Sequence, residues 1–353
     1  MINKSTLSYF RTSFAVSGLG LFAGAGIGYI YTPTWQGALT GMFLTFILSV
    51  LEVSLSFDNA VVNASVLRNM TPLWRHRFIT WGILIAVFAM RIVFPLAIVS
   101  IIAQIDPWSA LVLAATRPSE YAQIMMSAHV SLAGFGGSFL LLVCLHYFFN
   151  HEKEIHWLDW LERPLVKMGK ISAVEASLAL LVTYTVSRFL PTEEQLPLIV
   201  SSIFGIVTFV AVDGLGAMLK VPSGVEKDLH KASAALFVYL EILDASFSFD
   251  GVIGAFALTH NLFIIAVGLG VGAMFVRSMT IMLVEKETLN AFLYLEHGAF
   301  YAIGALATVM FVDLFIHIPE AVTGLVGAFI IGLSLVSSLR HRKAVGDKGP
   351  SHA

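Results

Sequence analysis

The sequence predicts an all-α integral membrane protein of about ten transmembrane helices, built as a single polytopic domain over 1–353 with an inverted-topology repeat. Three observations predict it. The composition is too apolar for one water-facing core, the basic residues collect in alternate loops, and one acidic motif occurs twice inside hydrophobic segments.

Hydrophobic residues make up 57% of the chain and charged residues 12%, with a mean hydropathy of +0.83. That much apolar surface needs a bilayer as its solvent. The net charge of -2 supplies no basic field for nucleic acid and no steering of acidic substrates. The single cysteine, Cys144, lies in an apolar run, which excludes an internal disulfide and a thiolate metal cluster.

Apolar stretches near the ~20 residues that cross the hydrocarbon core run over 13–31, 37–66, 78–103, 130–149, 171–190, 198–219, 232–258, 261–284, 291–312 and 319–339. Arg117, Pro118 and Glu120 interrupt 108–129, which reads as a loop with an interfacial or re-entrant piece. With the N-terminus in the cytoplasm, seventeen of the 21 Lys and Arg fall in inner loops and tails, the alternation that the positive-inside rule requires. Both termini are then cytoplasmic and the localisation is a cell inner (plasma) membrane. The first span also carries features of a cleaved signal, with Lys4 and Arg11 before it and Ala23-Gly24-Ala25 within it, although its apolar run continues to Tyr31. In 150–170, Trp157, Leu158, Leu161 and Leu165 fall on one side and suit an inner-surface helix, with an ordinary linker as the alternative. The tail 341–353 is polar.

The repeat lies in Glu52-Val-Ser-Leu-Ser-Phe-Asp58-Asn59 and Asp244-Ala-Ser-Phe-Ser-Phe-Asp250-Gly251. The following span in each copy adds an echo, because Gly82 precedes Arg91 by nine residues and Gly268 precedes Arg277 by nine. These define a first repeat over 37–103, an expanded middle region over 104–231 and a second repeat over 232–312. The loop charges set the two acidic spans in opposite directions, as in secondary transporters whose two halves open one midplane site alternately to each side.

Glu52, Ser56, Asn59 and Asn63 share a helical face, and Asp244 and Ser248 repeat its first two positions. Asp58 and Asp250 lie about 120° away on a continuous helix, so both acids of a motif reach one cavity only where the helix unwinds. The alternative is that they line different parts of a pathway. Carboxylates at bilayer depth need compensation. Four acids set against Arg91 and Arg277 leave two negative charges, which a divalent cation neutralises and protonation also would. Carboxylates, Asn59 and the hydroxyls of Ser56 and Ser248 are oxygen ligands that suit hard cations such as Mg, Ca or Mn. Protons or sodium could use the same acids, alone or in exchange for a metal. Glu241, one turn before Asp244, and Asp213, outside the repeats, are further pathway candidates. Glu175 and Glu296 read as snorkelling residues at inner span ends, and His129 and His146 as packing residues.

On these residues the chain resembles the TerC family of integral membrane proteins, in a longer branch known as a domain of unknown function. The resemblance rests on Leu51 through Ala60, Arg75-His76-Arg77, Trp81-Gly82 and Arg91, and Asp244 through Asp250, with Val276-Arg277-Ser278, Tyr294 through Gly298 and Ile318-Pro319 as closing spans. It implies membership of a wider group of cation exporters, associated with manganese efflux, calcium handling and tellurite resistance. Glu52, Asp58, Asp244 and Asp250 would be the metal-pathway acids. Gly251 departs from the serine usual there, and the middle region is longer than the common core. The leading expectation is an exporter of a divalent metal, manganese first, and not an enzyme, with the metal as cargo and no organic cofactor. The bilayer and the cation are its partners, with proton or sodium coupling open. No P-loop is present for ATP coupling. Rival readings are a membrane-anchored assembly or stress factor and an intramembrane aspartate enzyme.

Overall fold

The computed structural model describes residues 6–82, 85–151, 153–171, 173–219, 226–286 and 292–346, and every regular element among them is helical. After a short turn at Thr6–Phe10 come α1 (Arg11–Tyr31), α2 (Trp35–Leu55) and α3 (Phe57–Leu67). Next is α4 (Pro72–Arg77), which continues as wide π-type turns over Phe78–Gly82 and Ile85–Val93 into α5 (Phe94–Ala103). The middle region holds α6 (Pro107–Thr116), α7 (Pro118–Ser127), α8 (His129–Phe149), α9 (Asp159–Met168), α10 (Val174–Ser187) and α11 (Thr192–Leu219). The chain closes with α12 (Glu226–Leu258), α13 (Leu262–Glu285), α14 (Leu295–Val312) and α15 (Glu320–Gly346).

Local chemistry sets many of these boundaries. Thr34 accepts from Gly37 N to start α2, Asp106 caps α6 through Trp108 N and Ser109 N, and Asn261 caps α13 through Phe263 N and Ile264 N. Pro72, Pro107 and Pro118 open their helices, where a missing N–H costs nothing. Gln104 ends α5 in the left-handed region, with φ 52°.

Eight described helices are long and apolar enough to cross a membrane, so the chain is an all-α, multi-pass membrane protein. Their outward surfaces are themselves apolar, with Phe22, Ile101, Phe204 and Leu325 exposed, as a lipid solvent requires. Two of the ten expected spans differ in kind. α12 is 33 residues long but carries Glu241, Asp244 and Asp250, and α10 has only 14 residues, about 21 Å at 1.5 Å per residue. The stretch 108–129 is helical rather than a loop. Arg117 separates α6 from α7, and α7 buries Tyr121, Ala122 and Met125 beside Phe256 of α12.

Close backbone approach holds the spans together, as expected where lipid supplies no hydrophobic drive between helices. Gly28 faces the backbone of Gly37 and Gly41, which locks α1 against α2. In the middle region Ser138 Oγ donates to Ser202 O at 3.0 Å and Ser202 Oγ to Gly134 O at 3.1 Å, clasping α8 to α11. Two large apolar bodies and a small third one around Leu198 and Phe311 result among the described residues. One large body gathers Leu67, Phe139, Phe148, Leu240 and Ile303, and the other gathers Leu48, Tyr121, Met125, Phe256, Ile265 and Leu269.

Candidate functional site

The two acidic motifs meet in antiparallel order. Asn59 Nδ2 donates to Asp244 Oδ1 at 2.5 Å, and a Cβ added at Gly251 would stand 3.5 Å from Glu52 Oε2. By the motif alignment Glu52 corresponds to Asp244 and Asn59 to Gly251, so each copy sets its first acid opposite the eighth position of the other. The following spans cross over in the same way. Gly268 of α13 admits α2 at Leu48 and accepts from Ser49 Oγ at 3.0 Å through its carbonyl, whereas Gly82 admits Glu241 of α12, the residue that corresponds to Ser49. A side chain at Gly82 would collide with the Glu241 carboxylate, and one at Gly272 with Glu52.

Helix α2 ends at Ser56, whose φ of −103° and ψ of 17° break the regular turn before α3. Ser56 Oγ donates to Glu52 Oε1 at 3.1 Å, and Arg91 Nη2 donates to the same oxygen as a buried ion pair. Glu52 is 5% exposed and Arg91 2%. Arg91 sits on the wide-turn stretch Ile85–Val93, whose extra residue per turn swings the side chain inward.

One small cavity of about 50 Å³ collects most of these groups. Glu52, Asn59, Asn63, Arg91, Glu241, Asp244 and Arg277 line it together with Phe78, Ile79 and Thr280. Asn59 Oδ1, Asn63 Oδ1, Glu241 Oε1 and Asp244 Oδ2 are buried there without a hydrogen-bond donor among the described residues. Four oxygen acceptors without donors in one enclosure are costly unless a cation, a proton or water completes them. Three carboxylates and two guanidiniums leave a single negative charge when all are ionised. Among the described residues no group of three or more His, Cys, Asp or Glu side chains is placed so that it could hold a metal ion.

Several expected site residues stand elsewhere. Asp58 accepts from its neighbour Asn59 N at 2.9 Å and lines a separate small cavity with Ser54, Ala302, Thr323 and Gly327, because the break at Ser56 does not turn it far enough to join Glu52. Arg277 lines the main cavity and its Nε donates to Ile79 O at 3.0 Å, satisfying the loosened backbone of the wide-turn stretch; among the described residues it pairs with no carboxylate. Ser248 is buried on α12 outside the cavity lining. Asp213 lies on α11, 3.6 Å from His146 Nε2, and His146 Nδ1 lies 3.1 Å from Glu175. Glu296 pairs with Arg68 at 3.1 Å, and His129 Nε2 lies 3.0 Å from Asp313 Oδ2. The side chain of Asp250 lies outside the described residues; its backbone belongs to α12.

Sequence reasoning missed a second buried charge cluster around Glu162. Its Oε1 accepts from Trp157 N, Leu158 N and Tyr301 OH, each at 3.1 Å, and its Oε2 accepts from Lys153 Nζ at 3.0 Å. His297 Nε2 lies 3.6 Å from Oε2. Burial alone would raise the Glu162 carboxyl, but the Leu158 N–H and the Lys153 ammonium outweigh it and hold the carboxyl below its usual range. Lys153 is also lowered, since its own burial outweighs the pull of Glu162. The network pins 150–170 onto α14, so this segment is neither a free linker nor simply a helix lying on the surface. The only signal in the sequence was an acid inside an otherwise amphipathic stretch.

The fold and these buried charges define a polytopic α-helical membrane protein with an ionisable cavity between two crossed repeats. Residues 57–345, more than half of the chain, match a family described as "Protein of unknown function (DUF475)", and the chain belongs to that family. The matched residues take in Asp58, Asn59, Arg91, Glu241, Asp244 and Arg277, while Glu52 lies just before them. No curated protein and no solved structure matches the chain.

Proposed function

We propose that this protein is a TerC-like exporter of a divalent metal cation, manganese first among candidates, through the cavity between Glu52 and Asp244. The observation that carries the reading is the set of four buried acceptor oxygens on Asn59, Asn63, Glu241 and Asp244, which face one enclosure and lack donors among the described residues. A desolvated cation supplies what they lack. The donor set is all oxygen, which suits Mn, Mg or Ca over softer metals. It is also incomplete as a permanent cage, and transport requires binding weak enough to release. The crossed repeats add the means of alternating access.

On this reading the protein sits in a cell inner membrane with both termini in the cytoplasm, moves its cargo by proton or sodium exchange or on the membrane potential, and performs no covalent chemistry. The assembly-factor reading draws on the pinned 150–170 segment, and it predicts that neutral replacement of the cavity acids leaves function intact. The test is manganese flux into sealed vesicles holding the purified protein. Glu52→Gln, Glu241→Gln, Asp244→Asn and Asp250→Asn are each expected to lower it at least about tenfold, the scale set by removing one member of a buried charged group. Parental rates in all four variants sink the reading.

A further inference from the structure

The cavity already holds a cation that is part of the chain. Arg91 reaches Glu52 as a buried ion pair, in a cavity that also holds Asp244 and Glu241. Its counterpart in the second repeat does otherwise among the described residues, because Arg277 Nε donates to the backbone carbonyl of Ile79. Glu52 faces Gly251 where Asp244 faces Asn59, so among the described residues Glu52 is held by the Ser56 hydroxyl and by the guanidinium, its charged partner, rather than by an amide of the opposite motif. The segment bearing Arg91 is wound in π-type turns over Ile85–Val93. π-Type turns are rare departures from the α-helix, found mostly at functional sites, and returning one such turn to α geometry rotates the residues beyond it by about one position, roughly 100°.

We propose that Arg91 is a tethered counter-cation, occupying the carboxylates of the cavity when cargo is absent and withdrawing by a change of helical winding when a metal cation arrives. This inference rests on the cation-transport reading. A carrier must return through the same midplane without cargo, and unpaired carboxylates would make that return costly in a low-dielectric setting. The guanidinium keeps the empty site charge-compensated, which permits net transport and not only one-for-one exchange. A static structural pair would serve both modes equally.

The experiment compares the two modes with radioactive manganese in vesicles containing the full chain. Net uptake is measured into metal-free vesicles and exchange into manganese-loaded ones. Arg91→Gln is expected to lower both modes, with net uptake falling at least about tenfold further than exchange, so that the ratio of net uptake to exchange drops by that factor, the loss of a buried charge partner. Arg91→Lys, which keeps the charge, is expected to restore net uptake in part. Equal loss of both modes, or unchanged net uptake, overturns the role of Arg91 while leaving the transport reading standing. A parent that moves manganese in neither mode overturns the transport reading itself. Should Arg91→Gln fail to fold, hydrogen exchange of the parent decides: added manganese is expected to change exchange across 85–93, and an unchanged pattern overturns the proposal.

Discussion

Asn59 donates its side-chain amide to Asp244 at 2.5 Å, and this one bond joins the third helix to the twelfth at the point where the two acidic motifs cross. Its counterpart across the crossing is missing an amide, because Gly251 stands there opposite Glu52. The two crossings therefore differ: one acid is held by an amide, and the other by Arg91 and the Ser56 hydroxyl.

Adding the missing amide tests this asymmetry. Arg91→Gln leaves Glu52 buried without its charge partner and is expected to cost about 3–5 kcal/mol of stability. Gly251→Asn placed on that background should return about 1–2 kcal/mol by donating to Glu52. Thermal unfolding in detergent of both variants checks it, and a double variant no more stable than the single one contradicts the pairing.

Removing the existing amide has the opposite sign. Asn59→Leu leaves Asp244 with neither oxygen satisfied by a described residue, and is expected to destabilise by about 1–3 kcal/mol and to weaken manganese binding. Isothermal titration with manganese alongside unfolding measures both effects. Unchanged binding would show that Asp244 does not need this partner to hold cargo.

Asp58 and Asp244 line different cavities, so they are expected to separate by function. Asp244→Asn is expected to weaken manganese binding at least about tenfold, the scale of a hydrogen-bonded or ionic interaction with a charged group, and Asp58→Asn less than about twofold. Equal weakening by titration would mean that the two cavities join during transport.

Tight packing beside the acid gives a steric test. A side chain at Gly272 would meet Glu52 Cγ and Ser49 O, so Gly272→Val is expected to force α2 off α13 and cost about 1–3 kcal/mol. The loss should show both in unfolding temperature and in manganese flux. Retained flux at parental stability argues against this close approach.

The Glu162 network predicts a pH dependence outside the spans. Its carboxyl is held below the usual range, so the stability it contributes is fully present above the ordinary glutamate pKa of 4.5 and is lost as pH falls through the lower folded value. Hydrogen exchange across 153–168 should show protection at neutral pH that disappears on acidification below that range. Glu162→Gln should lack this step.

Much of the architecture is legible in the residues alone. Apolar runs, loop charges and the doubled motif are local or periodic features, and helices in lipid satisfy their own backbone, so span positions follow from composition. The doubled motif also marks Glu52, Asn59 and Asn63 as one face, and all three line the main cavity. The place of Asp58 is not legible in this way, because a break at Ser56 turns the chain by an amount that only packing sets. Glu162 leaves no comparable trace, since its partners Lys153, Tyr301 and His297 are up to 139 residues away.

By itself, then, the sequence determined a helical, membrane-spanning chain with two related acidic segments, because hydrophobicity and repetition are written along the chain. The tertiary structure alone decided which acid meets which partner: Asp244 with Asn59, Glu52 with Arg91, and Arg277 with a carbonyl. The reason is that pairing between buried polar groups depends on crossing points and helical winding, and neither the glycine contacts that set the crossings nor the π-type turns that aim Arg91 leave a periodic trace in the residues.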